Sequence, residues 1–167
     1  MADNLILIGM PGVGKSTVGV LLAKQLLLDF IDTDLLIQRR EGLRLQQLIT
    51  LKGLHNFRRA EEEMLLNLEA EHSVISTGGS VIYSTAGMAR LKQLGPLIYL
   101  HLSLPQLEQR IADMGDRGVV IEPGQSFADL YADRTPRYRR YADFEIDTDD
   151  LGIEEVLKKI EKALKKN

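Results

Sequence analysis

An α/β fold with helices covering both faces of a parallel sheet is what this sequence predicts, and two observations predict it. Short apolar runs of strand length alternate with longer helix-like stretches along the whole chain. The first of these runs leads straight into Gly9-Met-Pro-Gly-Val-Gly-Lys-Ser16, which fits the phosphate-binding pattern G-x-x-x-x-G-K-[ST]. Strand, glycine-rich loop and helix in that order are the context the pattern requires. In parallel sheets of this kind ligands bind outside the carboxyl ends of the strands, so the loop also locates the site.

The elements follow in order. Leu5–Gly9 reads as a buried first strand, and Val18, Leu21, Leu22, Gln25 and Leu26 after the loop have helical spacing. Further strands are predicted at Phe30–Thr33, Val74–Thr77, Leu97–Leu102 and Phe144–Asp147. Helices are predicted over Leu35–Arg40, Leu45–Leu51, Asn56–Glu69, Thr85–Leu94, Pro105–Asp113 and Ala128–Tyr138. Ile153, Val156, Leu157, Ile160 and Leu164 line one face of a final helix whose other face is charged and solvated.

Composition narrows what such a fold can do. At 167 residues and 44% apolar content, the chain fills one core and is too short for two ordinary domains, so residues 1–167 are expected to form one domain. A net charge of −3 with dispersed Lys and Arg argues against a nucleic-acid face. The absence of cysteine excludes disulfides and thiolate metal sites, leaving a hard, oxygen-bound cation as the expected metal. No apolar run approaches about 18 residues. Met-Ala-Asp-Asn passes directly into a strand without a basic leader, so a cytoplasmic protein without membrane contact is expected.

Several residue groups sit at predicted strand ends or in loops. Within the phosphate loop, backbone N–H groups can cradle phosphate oxygens, Lys15 can neutralise the β/γ charge and the Ser16 hydroxyl can hold Mg²⁺. The following helix presents its positive end to the anion. Asp32-Thr-Asp34 closes the second strand, and a strand continuing through it would send the two carboxylates to opposite sides. One acid can bind water in a Mg²⁺ shell and the other can orient or deprotonate an attacking hydroxyl. Asp34 can equally cap the helix that begins with Leu35.

Arg58 and Glu61 stand at i, i+3 on a helix, either as a held guanidinium that clamps a carboxylate or as an ordinary surface ion pair. Thr77-Gly-Gly-Ser80 ends the third strand, as a close backbone approach to ligand or as a tight turn. Periodicity fails from Asp113 to Phe127, where Arg117 lies among Gly115, Gly118, Pro123 and Gly124; this segment is a lid or a solvated loop. Arg134, Arg137, Arg139 and Arg140 around Tyr138 form the densest basic cluster, which in an acidic chain reads as an anion contact. His55, His72 and His101 have no metal-ligand spacing.

Taken together, Gly9–Thr17, Asp32-Thr-Asp34, Phe57-Arg58 with Glu61, Gly78-Gly79, Arg117 and Tyr138-Arg139-Arg140 resemble the shikimate kinase family over nearly the whole chain. The resemblance implies a three-layer P-loop kinase fold with a five-stranded parallel sheet in the order 2-3-1-4-5. It also implies a substrate-binding helical segment at about 33–61 and a mobile lid at about 113–127. The activity implied is transfer of the ATP γ-phosphate to the 3-hydroxyl of shikimate, on the way to chorismate and the aromatic amino acids, by a monomer. Related kinases acting on another hydroxy acid or polyol, and non-catalytic nucleotide-binding relatives, are the alternatives. By position, Gly12, Val13, Gly14, Lys15, Ser16, Thr17 and Arg117 bind ATP, Arg110 its adenine, and Ser16 and Asp32 the Mg²⁺. Asp34, Arg58, Gly78, Gly79 and Arg139 bind the acceptor, with Arg58 and Arg139 on its carboxylate. Lys15, Asp34 and Arg117 are the implied catalytic residues. Two positions depart from the family pattern: Ser80 stands where a third glycine is usual, and Arg117-Gly-Val-Val120 replaces Arg-Pro-Leu-Leu.

Overall fold

A computed structural model of the chain describes residues 4–114, 119, 121 and 123–166. The elements are β1 (Leu5–Ile8), α1 (Lys15–Leu26), β2 (Asp29–Asp32), α2 (Thr33–Glu41), α3 (Leu45–Leu66) and β3 (Ser73–Ser76). After a single 3₁₀ turn at Val81–Tyr83 come α4 (Thr85–Leu94), β4 (Leu97–His101), α5 (Leu104–Met114), α6 (Phe127–Tyr141), β5 (Phe144–Asp147) and α7 (Ile153–Leu164). All strand pairs are parallel, in the order β2-β3-β1-β4-β5.

Burial explains this order. Every residue of β1 and β3 is buried, as is β4 apart from His101, so the most continuously apolar strands occupy the middle of the sheet. Exposed or half-buried residues dominate β2 and β5, the two edges. Leu7 lies level with Ser76 of β3 on one side and Ile98 of β4 on the other, which brings the carboxyl ends of the central strands together. The chain leaves β1 for β2 on one side, then crosses from β3 past β1 to β4, and the resulting crevice at β1 is where ligands settle in such sheets.

Several boundaries differ from expectation, and one matters for function. β2 ends at Asp32 rather than Thr33, and α2 begins at Thr33 rather than Leu35. The cause is the Asp32 carboxylate, whose Oδ1 accepts from the N–H groups of Asp34 (2.9 Å) and Leu35 (3.4 Å). Asp32 is thus the cap, and Asp34 stands inside the first helical turn. The orientation of Asp34 is set by the helix, not by the alternation of a strand. The expected interruption between residues 51 and 56 is a break inside α3, where Gly53 adopts φ 82° and ψ 161°.

At the opposite end of the sheet, the Asn4 side chain ties three segments together. Its Nδ2 donates to the carbonyls of Ala70 (2.8 Å) and Leu94 (3.0 Å), and its Oδ1 accepts from Ser73 N–H (3.0 Å). Asn4 is 3% exposed, so Asn4→Ala would strand these backbone groups away from water. We expect a loss of about 2–4 kcal/mol in urea unfolding with little change in turnover. A loss below about 0.5 kcal/mol would show that water replaces the side chain.

Candidate active site

The phosphate loop occupies the carboxyl end of β1. Gly12 (φ 84°) and Gly14 (φ 101°) take left-handed conformations that a side chain would resist, and they turn the loop into the start of α1. Val13 is buried, and its carbonyl accepts from Arg110 Nη1 on α5 at 3.0 Å, which ties Arg110 to the loop. Lys15 is 8% exposed, and its Nζ donates to the carbonyls of Gly9 (2.7 Å) and Met10 (2.9 Å). Burial draws its pKa down to about 8, against the opposing pull of Asp34 and with the help of Arg134. Ser16 and Thr17 follow on the exposed first turn of α1.

One carboxylate joins this loop to the next element. Asp32 Oδ2 accepts from the Ser16 hydroxyl at 2.9 Å while its Oδ1 caps α2, and Ser76 Oγ lies 3.3 Å from Ser16 Oγ. A hydroxyl and a carboxylate held side by side form an all-oxygen donor pair that suits Mg²⁺, which keeps several of its waters. No cluster of three or more His, Asp or Glu with metal-ligand geometry occurs among the described residues.

Beyond the loop lies a second group of acids. Asp34 Oδ1 is enclosed, and no donor among the described residues reaches it. Burial first, then the Asp32 charge, pushes its pKa up to about 6, with Lys15 pulling the other way. Glu61 of α3 is 2% exposed, and burial lifts it to about 7. Gly78 separates the two carboxylates: a Cβ there would stand 2.8 Å from Asp34 Oδ1 and 2.9 Å from Glu61 Oε2. Glycine at this position is required by close approach. Ser80, at φ −91°, has no left-handed backbone to resist, and its hydroxyl donates to Glu61 Oε1 at 2.8 Å and Oε2 at 3.0 Å. The serine that replaces a family glycine therefore incurs no backbone strain and engages Glu61, which also feels the charge of Arg58.

The basic residues require a correction. Arg58 lines a cavity of about 130 Å³ together with His55, Glu61, Ser80 and Tyr83. Its guanidinium carbon lies 4.8 Å from the centroid of the Tyr83 ring, and that of Arg134 lies 5.5 Å from the same centroid. Arg134 is 1% exposed, and its Nη1 lies 2.9 Å from where a Cβ on Gly79 would be. Gly79 is held from the other side, its carbonyl accepting from Tyr138 Oη at 2.6 Å. Arg139 is half-exposed and pairs with Glu145 of β5, Nη2 to Oε1 at 3.1 Å. The residue beside Arg58 is therefore Arg134, not Arg139. A signal for it was present in the sequence: Leu130, Arg134 and Tyr138 recur every four residues, and all three are buried on one face of α6. Arg117 lies outside the described residues, as do Gly115, Gly118, Val120 and other parts of the expected lid.

The arrangement brings a cation for phosphate, a hydroxyl–carboxylate pair for a hard metal, an enclosed carboxylate and two neighbouring guanidinium groups around one crevice. Such a set can bind a polyphosphate and an anionic alcohol and move a proton between them.

Comparison with known proteins agrees with this chemistry. The family model described as "Shikimate kinase" matches residues 11–165. Shikimate kinase from Pseudomonas aeruginosa (strain LESB58) is 38% identical over 166 residues, covering 95% of this chain and 96% of the relative. Shikimate kinase from Thermodesulfovibrio yellowstonii is 38% identical over 160 residues, covering 94% and 92%. Among solved structures, shikimate kinase from Acinetobacter baumannii in complex with shikimate superposes with a TM-score of 0.88 at 32% identity, covering 98% of this chain and 93% of that one.

Proposed function

Since this chain belongs to the shikimate kinase family, we propose that it transfers the γ-phosphate of ATP to the 3-hydroxyl of shikimate through the residues gathered around Gly78. The observation that carries these roles is the enclosed Asp34 Oδ1, which feels the Lys15 charge and has no donor among the described residues. Asp34 takes the proton of the acceptor hydroxyl as the hydroxyl oxygen bonds to the γ-phosphorus and ADP departs with the electrons of the broken P–O bond. Lys15 exchanges its bonds to Gly9 and Met10 for phosphate oxygens and follows the negative charge as it develops. Gly12 to Thr17 cradle the phosphates, with Arg110 towards the adenine. Ser16 and Asp32 hold Mg²⁺, which when bound neutralises phosphate charge. Arg58 and Arg134 take the carboxylate of shikimate, and Arg117 is assigned to the transferring phosphoryl group from its sequence position. A cytoplasmic monomer acting on small molecules completes this reading.

The carboxylate assignment is tested by comparing shikimate with its methyl ester in a coupled assay for ADP release. The ester keeps every ring hydroxyl and loses the charge. We expect it to be a poor acceptor, and Arg134→Ala to raise the KM for shikimate about 10- to 150-fold, as expected for one charge-assisted contact, with the KM for ATP little changed. Arg134→Lys separates loss of charge from loss of the planar fork. Equal use of acid and ester would end the assignment. Asp32→Asn should raise the Mg²⁺ concentration for half-maximal rate by about 10-fold or more; an unchanged requirement would move the metal elsewhere.

A further inference from the structure

Tyr138 is fully buried in α6, and its ring stacks on Tyr99 of the central strand β4, with centroids 5.1 Å and planes 22° apart. The ring is therefore fixed, and it fixes a peptide bond in turn. Its hydroxyl donates to the Gly79 carbonyl at 2.6 Å and also bonds the Arg134 side chain. Burial pushes the phenol pKa up, so the hydroxyl keeps the proton it donates. Ser80, on the other side of that peptide, is held separately, its own hydroxyl donating to both oxygens of Glu61 on α3.

One peptide is thus gripped from α6 at its carbonyl and from α3 through the side chain that follows it. The group left over is the Ser80 N–H, which carries no hydrogen bond among the described residues. Ser80 is 5% exposed, and buried N–H groups in native proteins nearly always have a partner. A planar trans peptide points its N–H opposite to its C=O, so the bond from Tyr138 sets the direction of this donor. It also polarises the amide, because a hydrogen bond accepted at the carbonyl strengthens the one its N–H can give. We propose that Tyr138 is a positioning residue of the acceptor site: through the Gly79 carbonyl it aims the Ser80 N–H at a ring hydroxyl of the acceptor. The proposal rests on the assignment of Gly78 and Gly79 to the acceptor. It deepens that assignment by making recognition of a neutral hydroxyl depend on a residue that stands behind the peptide and does not itself touch the acceptor.

Tyr138→Phe keeps the stacked ring and removes only the hydroxyl. We expect it to raise the KM for shikimate about 3- to 10-fold, the size of one neutral hydrogen bond, with kcat and the KM for ATP within about twofold of the parent. Because the hydroxyl also meets Arg134, shikimate methyl ester separates the two routes. A loss transmitted through the guanidinium falls on the charged acid, whereas a loss transmitted through the peptide falls on acid and ester alike. We therefore expect kcat/KM for the ester to fall by about the same factor as that for the acid, while Arg134→Ala penalises the acid more than the ester. The second readout is the amide resonance of Ser80 in a shikimate titration followed by NMR: it should shift on binding in the parent and shift less at saturation in Tyr138→Phe. An unchanged KM for shikimate in a folded Tyr138→Phe protein overturns the proposal. So does a loss confined to the acid, which would place the hydroxyl's effect in Arg134, and so does a loss confined to kcat. If the Ser80 amide shifts equally in both proteins, only the role of Tyr138 is lost. If shikimate leaves it unmoved in the parent, which needs no variant to fold, the placing of the acceptor at this peptide has itself failed.

Discussion

Asp34→Asn is expected to reduce kcat about 10²–10⁴-fold, the range for removing a positioned general base, while the KM for ATP stays close to the parent value. Asparagine fits the same place in the first turn of α2 and keeps the Asp32 cap, so the change removes basicity with little change of shape. The pH dependence gives a second measure. Asp34 must be ionised to accept a proton, and its pKa in the free protein is pushed up to about 6. Its neighbour Glu61 titrates at about 7, so the two carboxyls take up protons together. Thus kcat/KM for the acceptor should fall as pH drops through 7 to 6 and level off above. A variant keeping more than a tenth of parental turnover would remove Asp34 from proton transfer.

Lys15→Met should lower turnover on the order of 10²–10³-fold by removing a preorganised charge from the transferring phosphoryl group. Methionine is nearly as long and apolar enough for a position that is 8% exposed, so unfolding is not the expected cause; circular dichroism checks this. The parent should also lose kcat/KM for ATP above pH 8, because burial draws the lysine down to about 8 in the nucleotide-free protein and only its protonated form serves. Bound ATP brings negative charge to Nζ and raises that pKa, so the basic limb of kcat should lie higher than that of kcat/KM. Near-parental turnover in a folded Lys15→Met protein would exclude the loop from phosphoryl transfer.

How far the site was legible in the sequence depended on whether local rules decided it. The phosphate loop was readable because strand, glycines and helix are consecutive, and the alternation of elements implied the parallel sheet. Asp32 and Asp34 were readable as a pair, but their division of labour was not. A strand extended by one residue would have opposed them, whereas the Asp32 cap turns the chain into α2 at Thr33. The arginines of α6 were the least legible part of the site. Charge density marked the whole cluster without choosing among its members, and the family resemblance pointed to Arg139, next to Tyr138, whereas the buried arginine is Arg134, on the same face as Leu130. Charge is a property of composition, and burial is a property of helix phase. The Ser80–Glu61 and Tyr83–arginine contacts join residues 19 or more positions apart, and no local pattern announces them.

Asp32 has a consequence that concerns both substrates. Its two oxygens serve different parts of the crevice: Oδ2 meets Ser16 at the phosphate loop, and Oδ1 holds the first turn of the helix that carries Asp34. A displacement of this one carboxylate at either oxygen is transmitted to the other through a rigid planar group only a few ångströms wide. If nucleotide binding shifts Asp32, the acceptor's affinity changes with it, and thermodynamic reciprocity then requires the acceptor to change the affinity for nucleotide by the same factor. The order in which the two ligands arrive would alter the path to the ternary complex and leave its free energy unchanged.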